Sequence, residues 1–318
     1  MKKLLCLLIC SFVTNTVLAA THAQNTIATH PMTVKPAETP PSATTQTLAQ
    51  YTDENQAAPE QSVIEEQLTQ VKKLAKNSLL IALYRPTYIL PYYYTASPDY
   101  AAYANNTPNN QKIMRNEFKS QLSLLIPVWS NMFNKPDWAL NIAYTQLNFW
   151  QIYASSQYFR ETNYEPEIFV ENHHFRDWLF RGGFNHQSNG RGGSLERSWN
   201  RAIGSAQVSG DDWLISLKVW ALIFKADSSN LHNPDIAKFL GHENLHFSYR
   251  LHDVVLSLEA QNLESGLRRG FLQATVSYPL LKHFSIYGQF FTGYGQSLIE
   301  YDHRTNGAGI GIAFNDWV

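Results

Sequence analysis

The sequence predicts an all-β protein: a twelve-stranded antiparallel transmembrane β-barrel behind an N-terminal flexible leader. Three observations carry this. From Leu79 to the C-terminus apolar and polar residues alternate with a period of two. The alternation falls into about twelve segments, each near the ~9–11 residues that a tilted membrane strand needs. The chain opens on an export signal, and the part beyond that signal carries no cysteine.

Residues 1–20 read as a secretory signal peptide. Lys2 and Lys3 precede an apolar run over 4–17, and Val17-Leu18-Ala19 or Leu18-Ala19-Ala20 forms a small-residue cleavage site. Thr14, Asn15 and Thr16 break that run short of the ~20 residues of a spanning helix. Both cysteines, Cys6 and Cys10, lie inside it. An exported chain without disulfides must be held by backbone pairing and packing.

Residues 21–77 read as the leader, rich in Thr, Ala, Pro and Gln up to about 61 and poor in large apolar groups. Near its end, Ile64, Gln67, Leu68, Val71, Leu74 and Ala75 recur at helical spacing, with Ser62 and Glu65 spaced as a capping box. This stretch is either a short helix on the periplasmic side or a solvated linker.

Residues 78–318 read as the barrel. The cleanest strand is 213–223, where Trp213, Ile215, Leu217, Val219, Ala221 and Ile223 share a face. Similar alternation marks 118–129, 138–150, 164–173, 177–188, 198–208, 242–251, 254–261, 271–278 and 283–293, then 308–314, and less cleanly 79–94. Tyr, Trp and Phe are common near the segment ends, as the aromatic girdles of a membrane barrel require. A soluble β-sandwich would also alternate; the signal peptide and the strand number favour the barrel. A net charge of -1 and the lack of a basic cluster with interleaved aromatics give no footprint for nucleic acid.

Within 177–188 the two parities differ in kind. Trp178, Phe180, Phe184, His186 and Ser188 share one, while Arg181, Asn185 and Gln187 share the other. On the next segment Asn200 has the parity of Ala202, Ala206 and Val208. In a barrel the apolar parity faces lipid, so His186, Ser188 and Asn200 belong to the exterior. A polar group facing hydrocarbon costs roughly 2–7 kcal/mol unless it is paired. Asn200 can take one imidazole nitrogen and leave the other for the Ser188 proton, which is a nucleophile–base–orienter arrangement. The same residues are also compatible with an inert polar cluster at the membrane–water interface. The glycine-rich loop 189–197 allows close backbone approach, for an oxyanion or a hard cation, and equally makes an ordinary turn.

Seven blocks then carry a resemblance: QLSLLIPVW (121–129), AYTQLNFWQ (143–151), FRETNYEP (159–166), GFNHQSNGR (183–191), RSWNR (197–201), NPDIAKFLG (233–241) and GYGQSLIEY (293–301). The chain resembles the outer-membrane phospholipase A family of Gram-negative bacteria from about Leu79 onward. The resemblance implies a twelve-stranded outer-membrane barrel that hydrolyses acyl esters of phospholipids and lysophospholipids, with calcium and homodimerisation required. It lays a Ser-His-Asn triad on Ser188 as nucleophile, His186 as base and Asn200 as orienter, with the Gly190 amide as oxyanion donor. It also implies a calcium (Ca2+) site made by the carbonyl of Arg191, by position 196, and by a serine of the second subunit that corresponds to Ser156.

Position 196 departs, being Glu where the family has serine. A carboxylate is a good ligand for a hard cation, so Glu196 either strengthens the site or displaces its geometry. Gln146 matches a polar residue of the family's dimer interface, although inward polar residues are ordinary in barrels. The leader is longer than the family norm, and the chain ends Asn315-Asp316-Trp317-Val318 rather than on an aromatic residue. His242 with His246, and His173 with His174, are read as ordinary histidines rather than a transition-metal site. The competing functional readings are a non-catalytic outer-membrane barrel, acting as a narrow channel or structural protein, and an esterase of smaller exported esters.

Overall fold

The structure, a computed structural model, describes residues 61–76, 81–223, 232–266, 268–281 and 284–315. The signal peptide expected over 1–20 and most of the leader expected over 21–77 lie outside the described residues, as do residues 316–318.

One antiparallel sheet closes on itself. Its strands are β1 (Ala82–Leu83), β2 (Thr87–Thr95), β3 (Asn116–Ser130), β4 (Trp138–Trp150), β5 (Phe159–Asn172), β6 (Trp178–Ser188) and β7 (Ser198–Ser209). They continue with β8 (Trp213–Leu222), β9 (Glu243–Leu251), β10 (Val254–Gln261), β11 (Phe271–Leu281), β12 (Phe284–Tyr294) and β13 (Arg304–Asn315). From β2 onward each pairs with its sequence neighbour, β13 pairs with β2, and β1 pairs with β3, which also pairs with β2 and β4. β1 and β2 lie along the same side of β3, Ala82 opposite Leu125 and Tyr88 opposite Gln121, so they are two pieces of one stave. The barrel therefore has twelve staves. The break between them explains the weak alternation over 79–94: Pro86 cannot donate to the ladder, and Arg85 reaches Glu165 and Glu167 instead.

Side chains sort by parity, as the pleat demands. Outward residues are apolar and exposed, for instance Ile215, Leu217 and Val219 on β8 and Leu256 and Leu258 on β10. Inward residues are largely polar and buried, among them Glu117, Lys119, Asn163, Glu167, Ser216 and Gln289. That is the reverse of a soluble sandwich and the arrangement of a sheet whose solvent is lipid.

Two strands begin earlier than their alternation suggests. β5 starts at Phe159 rather than 164, because a bulge opposite Phe149 and Trp150 turns the consecutive residues Arg160 and Glu161 both inward and hides the period. β13 starts at Arg304 rather than 308, since Arg304, Thr305, Asn306 and Gly307 offer no apolar parity to read.

The turns at one end are short, such as 210–212 and 252–253, while the loops at the other are longer, such as 96–115 and 189–197. Helix α1 (Val63–Lys76) sits at the short-turn end. The expected capping box forms, with Ser62 N–H donating to Glu65 and Glu65 N–H to Ser62 Oγ. Val63 and Ile64 are fully buried against the inward Leu179 and Leu214, and Val63 N–H donates to the Gly210 carbonyl at 3.1 Å. Arg176 and Arg250 hold Glu65 and Glu66. Of the two readings of this stretch, the helix is therefore the one adopted, and it stoppers the barrel mouth. A second helix, α2 (Ile236–Leu240), lies in the long-loop end, packing Ile236 and Leu240 against Trp199, Trp220, Leu298 and Tyr301.

Candidate active site

The hairpin of β6 and β7 sets the site. Asn200 pairs directly opposite His186, and Ser198 opposite Ser188. The register is fixed from inside the barrel: Trp199 Nε1 donates to Gln187 at 2.7 Å and Arg201 Nε to Asn185 at 2.8 Å. With Gln187, Trp199 and Arg201 turned inward, the alternate residues His186, Ser188 and Asn200 turn outward. They lie on the surface that exposes Phe180 and Phe184, the latter 58% accessible.

His186 Nδ1 and Asn200 Oδ1 are 2.8 Å apart. With Asn200 presenting its oxygen, the ring donates from Nδ1 and keeps a lone pair on Nε2. Ser188 stands on the same face two residues along, a spacing of ~6.6 Å that an imidazole can bridge. Among the described residues Ser188 makes no hydrogen bond to His186, so the structure joins His186 to Asn200 and leaves Ser188 adjacent.

The loop 189–197 is braced by its own first residue. Asn189 Oδ1 accepts from the amides of Arg191 and Arg197, and its Nδ2 donates to the Leu195 carbonyl at 2.8 Å. Gly190 has φ +64°, and a Cβ there would sit 2.9 Å from the Tyr164 ring, so both conformation and space select glycine. Its N–H finds no acceptor among the described residues. Arg191 and Glu196 belong to this same loop. The Glu196 carboxylate makes no hydrogen bond or ion pair among the described residues, while Arg197 turns its guanidinium to the carbonyls of Ser194 and Glu196. Ser156 lies apart, on the loop 151–158 at the same end; its hydroxyl accepts from Asn109 at 2.9 Å and its N–H donates to Gln111. No hydrogen bond connects it to 189–197 among the described residues.

Sequence reasoning missed the support behind this site. Asn233 acts as a false strand partner for the start of β7, accepting from Ser198 N–H at 3.1 Å and donating to the Ser198 carbonyl at 2.9 Å. Arg160 forms a two-pronged pair with Glu117 and also reaches Glu300 and Tyr103, all buried. Tyr301 donates to Asp235 at 2.7 Å. The blocks 159–166, 233–241 and 293–301 thus converge in space on the long-loop end. Gln146 faces outward, not into the lumen. It forms a ladder with Tyr144 and Asn148, each contact 2.8 Å, which continues to Ser120. Gln146 pairs opposite Tyr164, which pairs opposite Ser188, so ladder and candidate nucleophile share one row across three strands. His246 is mid-strand and buried, bonded to Ser248 at 2.6 Å, and His242 lies beside the Trp220 carbonyl.

A closed twelve-stave barrel with an apolar exterior and a polar interior defines a membrane-spanning β-barrel. The phospholipase A1 family profile matches residues 64–314. Phospholipase A1 of Salmonella typhimurium is 37% identical over 233 residues, covering 70% of this chain and 78% of the relative. That of Escherichia coli K12 is 38% identical over 211 residues, covering 64% and 71%. Among solved structures, the Salmonella typhi outer membrane phospholipase, a dimer with bound calcium, superposes with a TM-score of 0.70 at 34% identity over 78% of this chain and 97% of that one. Outer membrane phospholipase A from Escherichia coli gives 0.68, also at 34% identity, over 75% and 99%. The chain belongs to the outer-membrane phospholipase A family, and it is a β-barrel phospholipase of the bacterial outer membrane.

Proposed function

We propose that this chain is a calcium-dependent phospholipase of A1 and A2 type, active as a homodimer, whose centre is Ser188, His186 and Asn200. The observation that carries the reading is the 2.8 Å contact between His186 and Asn200 on the lipid-facing side, next to Ser188. A phospholipid or lysophospholipid lying against β6 and β7 brings its acyl ester to Ser188. Asn200 fixes the ring tautomer, His186 takes the Ser188 proton through Nε2 as Oγ attacks the carbonyl carbon, and the same proton is returned to the leaving alcohol. Water then releases the fatty acid by the reverse relay. The Gly190 N–H is available to the oxygen that becomes negative. A neutral Asn suits this place better than an ionised carboxylate, which lipid would penalise heavily.

The donor set fits a hard cation: the Arg191 carbonyl takes no hydrogen bond among the described residues, and the Glu196 carboxylate in the same loop is unpaired. Calcium, held by the Arg191 carbonyl and Glu196, would supply positive charge to stabilise the oxyanion. Ser156 is the ligand that a second copy would bring. The outward ladder of Tyr144, Gln146 and Asn148 supports that assembly. Polar side chains in lipid are stabilised by a partner, and a second copy on this ladder lies two strands from Ser188.

The test is hydrolysis of labelled phospholipid by the purified protein with calcium or with a chelator, comparing wild type with Ser188→Ala. Release of fatty acid by wild type with calcium, and background release in the other cases, is the expected outcome. Undiminished release by Ser188→Ala would instead leave a non-catalytic barrel with a contaminating lipase.

A further inference from the structure

The Arg191 side chain does not follow its backbone to the surface. It turns inward, where Nε donates to Glu161 Oε2 at 3.0 Å and the guanidinium also reaches the carbonyl of Arg160. Glu161 is completely buried, placed there by the bulge that opens β5. Its second oxygen accepts from Asn163 Nδ2 at 3.0 Å and from the Ile299 amide at 3.2 Å, and Asn163 in turn accepts from the Leu298 amide at 2.9 Å. One carboxylate therefore connects β5, the loop 295–303 and the loop 189–197.

From this we infer that Glu161 is a positioning residue of the hydrolase centre, acting through Arg191 to hold the Gly190 amide and the Arg191 carbonyl in place. The inference rests on the reading above, in which those two backbone groups serve the oxyanion and the cation. The physical reason is preorganisation. A glycine-rich loop of nine residues has many conformations; Asn189 closes it on Leu195, Arg191 and Arg197, and Glu161 reaches it through both Asn189 and Arg191. The Arg191–Glu161 contact is the charge-assisted bond that ties it to the barrel wall.

Glu161→Gln keeps the volume and an oxygen for Ile299 and Asn163, and replaces the acceptor facing Arg191 with an amide. Losing a hydrogen bond to a charged group corresponds to about a tenfold change in an equilibrium. The expected results are about a tenfold rise in the calcium concentration that half-activates hydrolysis, with kcat at saturating calcium little changed. Tryptic cleavage of the loop 189–197 in calcium-free protein should also quicken by a similar factor. Both are measured on full-length protein whose barrel migrates as folded on a gel. In an Arg191→Ala background, which retains the carbonyl, adding Glu161→Gln should change both quantities far less, because only the Asn189 contact is left to lose. A calcium shift that persists undiminished in that background, or unaltered loop cleavage by Glu161→Gln, would overturn the tether. Should wild-type hydrolysis ignore calcium and chelator alike, the cation reading fails while the cleavage rates still decide whether Glu161 holds the loop.

Discussion

Asn200 illustrates how one residue's role follows from its register. It sits opposite His186 because Trp199 and Arg201 are committed inward to Gln187 and Asn185, which leaves the amide no face but the outer one. If its work is to fix the imidazole rather than to move a proton, Asn200→Ala should lower kcat by about 10- to 1000-fold and leave KM nearly unchanged. Steady-state kinetics on a micellar phospholipid measures this, and an unaltered kcat would remove Asn200 from the centre. The parity of His186, Ser188 and Asn200 was legible in the sequence, since a period of two assigns faces without any contact being known. Gln146 was not, because the polar character that marks a lumen residue also marks a polar ladder turned to lipid. Glu161 was equally hidden: acidic residues at 161, 165, 167 and 171 read as a polar inner face, and only the bulge shows which of them meets the loop.

At the scale of elements, helix α1 buries its first turn deepest, with Leu68 and Val71 packed behind it. Val63 and Ile64 fill the space between Leu179 and Leu214 with almost no exposure. Ile64→Ala should cost about 2–5 kcal/mol of local stability, as a cavity in a closed packing does. Ser62→Ala, which removes the cap, should cost about 1 kcal/mol. Hydrogen exchange over α1 reads both, and the strands should be unaffected in either variant. The Arg176 bond holds the Glu65 carboxyl below the usual carboxylate range, but that pair is largely exposed and screened by water. The spacing and the capping box offered a helix beside a solvated linker, and neither its choice nor its seat was legible, since the apolar collar of Leu125, Phe169, Leu179 and Leu214 comes from four separate strands. The two strands that begin earlier than their alternation suggests have one origin: polar or bulged residues at the long-loop end carry no alternation to read.

Over the whole molecule, the long-loop end is held by buried ion pairs and the span by strand pairing. Burial alone would raise the Glu300 carboxyl, but the Arg160 guanidinium at 2.9 Å outweighs it and holds the group below its ordinary value of 4.5. A carboxyl depressed by folding adds stability above its unfolded value, and that share is lost as the pH falls through the depressed one. Pepsin cleavage of the loops 96–115 and 295–303 should therefore accelerate with acidification from about pH 5 to about pH 2, and Glu300→Gln should flatten the profile. The ladder on β4 makes a claim about assembly. In the dimer proposed above, Gln146→Leu should weaken assembly in calcium by roughly 0.5–2 kcal/mol, seen as a shift in the sedimentation equilibrium in detergent, and an unshifted equilibrium would remove the ladder from the interface.

The proposition beneath these expectations is that the reactive serine opens to the bilayer rather than to the barrel's aqueous interior. Two serine-reactive phosphonates separate these cases directly: one with a long alkyl chain that dissolves in the membrane, the other small, charged and confined to water. Mass spectrometry of protein treated with calcium in lipid vesicles should find Ser188 modified by the lipid-soluble reagent and spared by the charged one. Modification of Ser188 by the charged reagent alone would contradict the outward relay, whatever activity the protein displays.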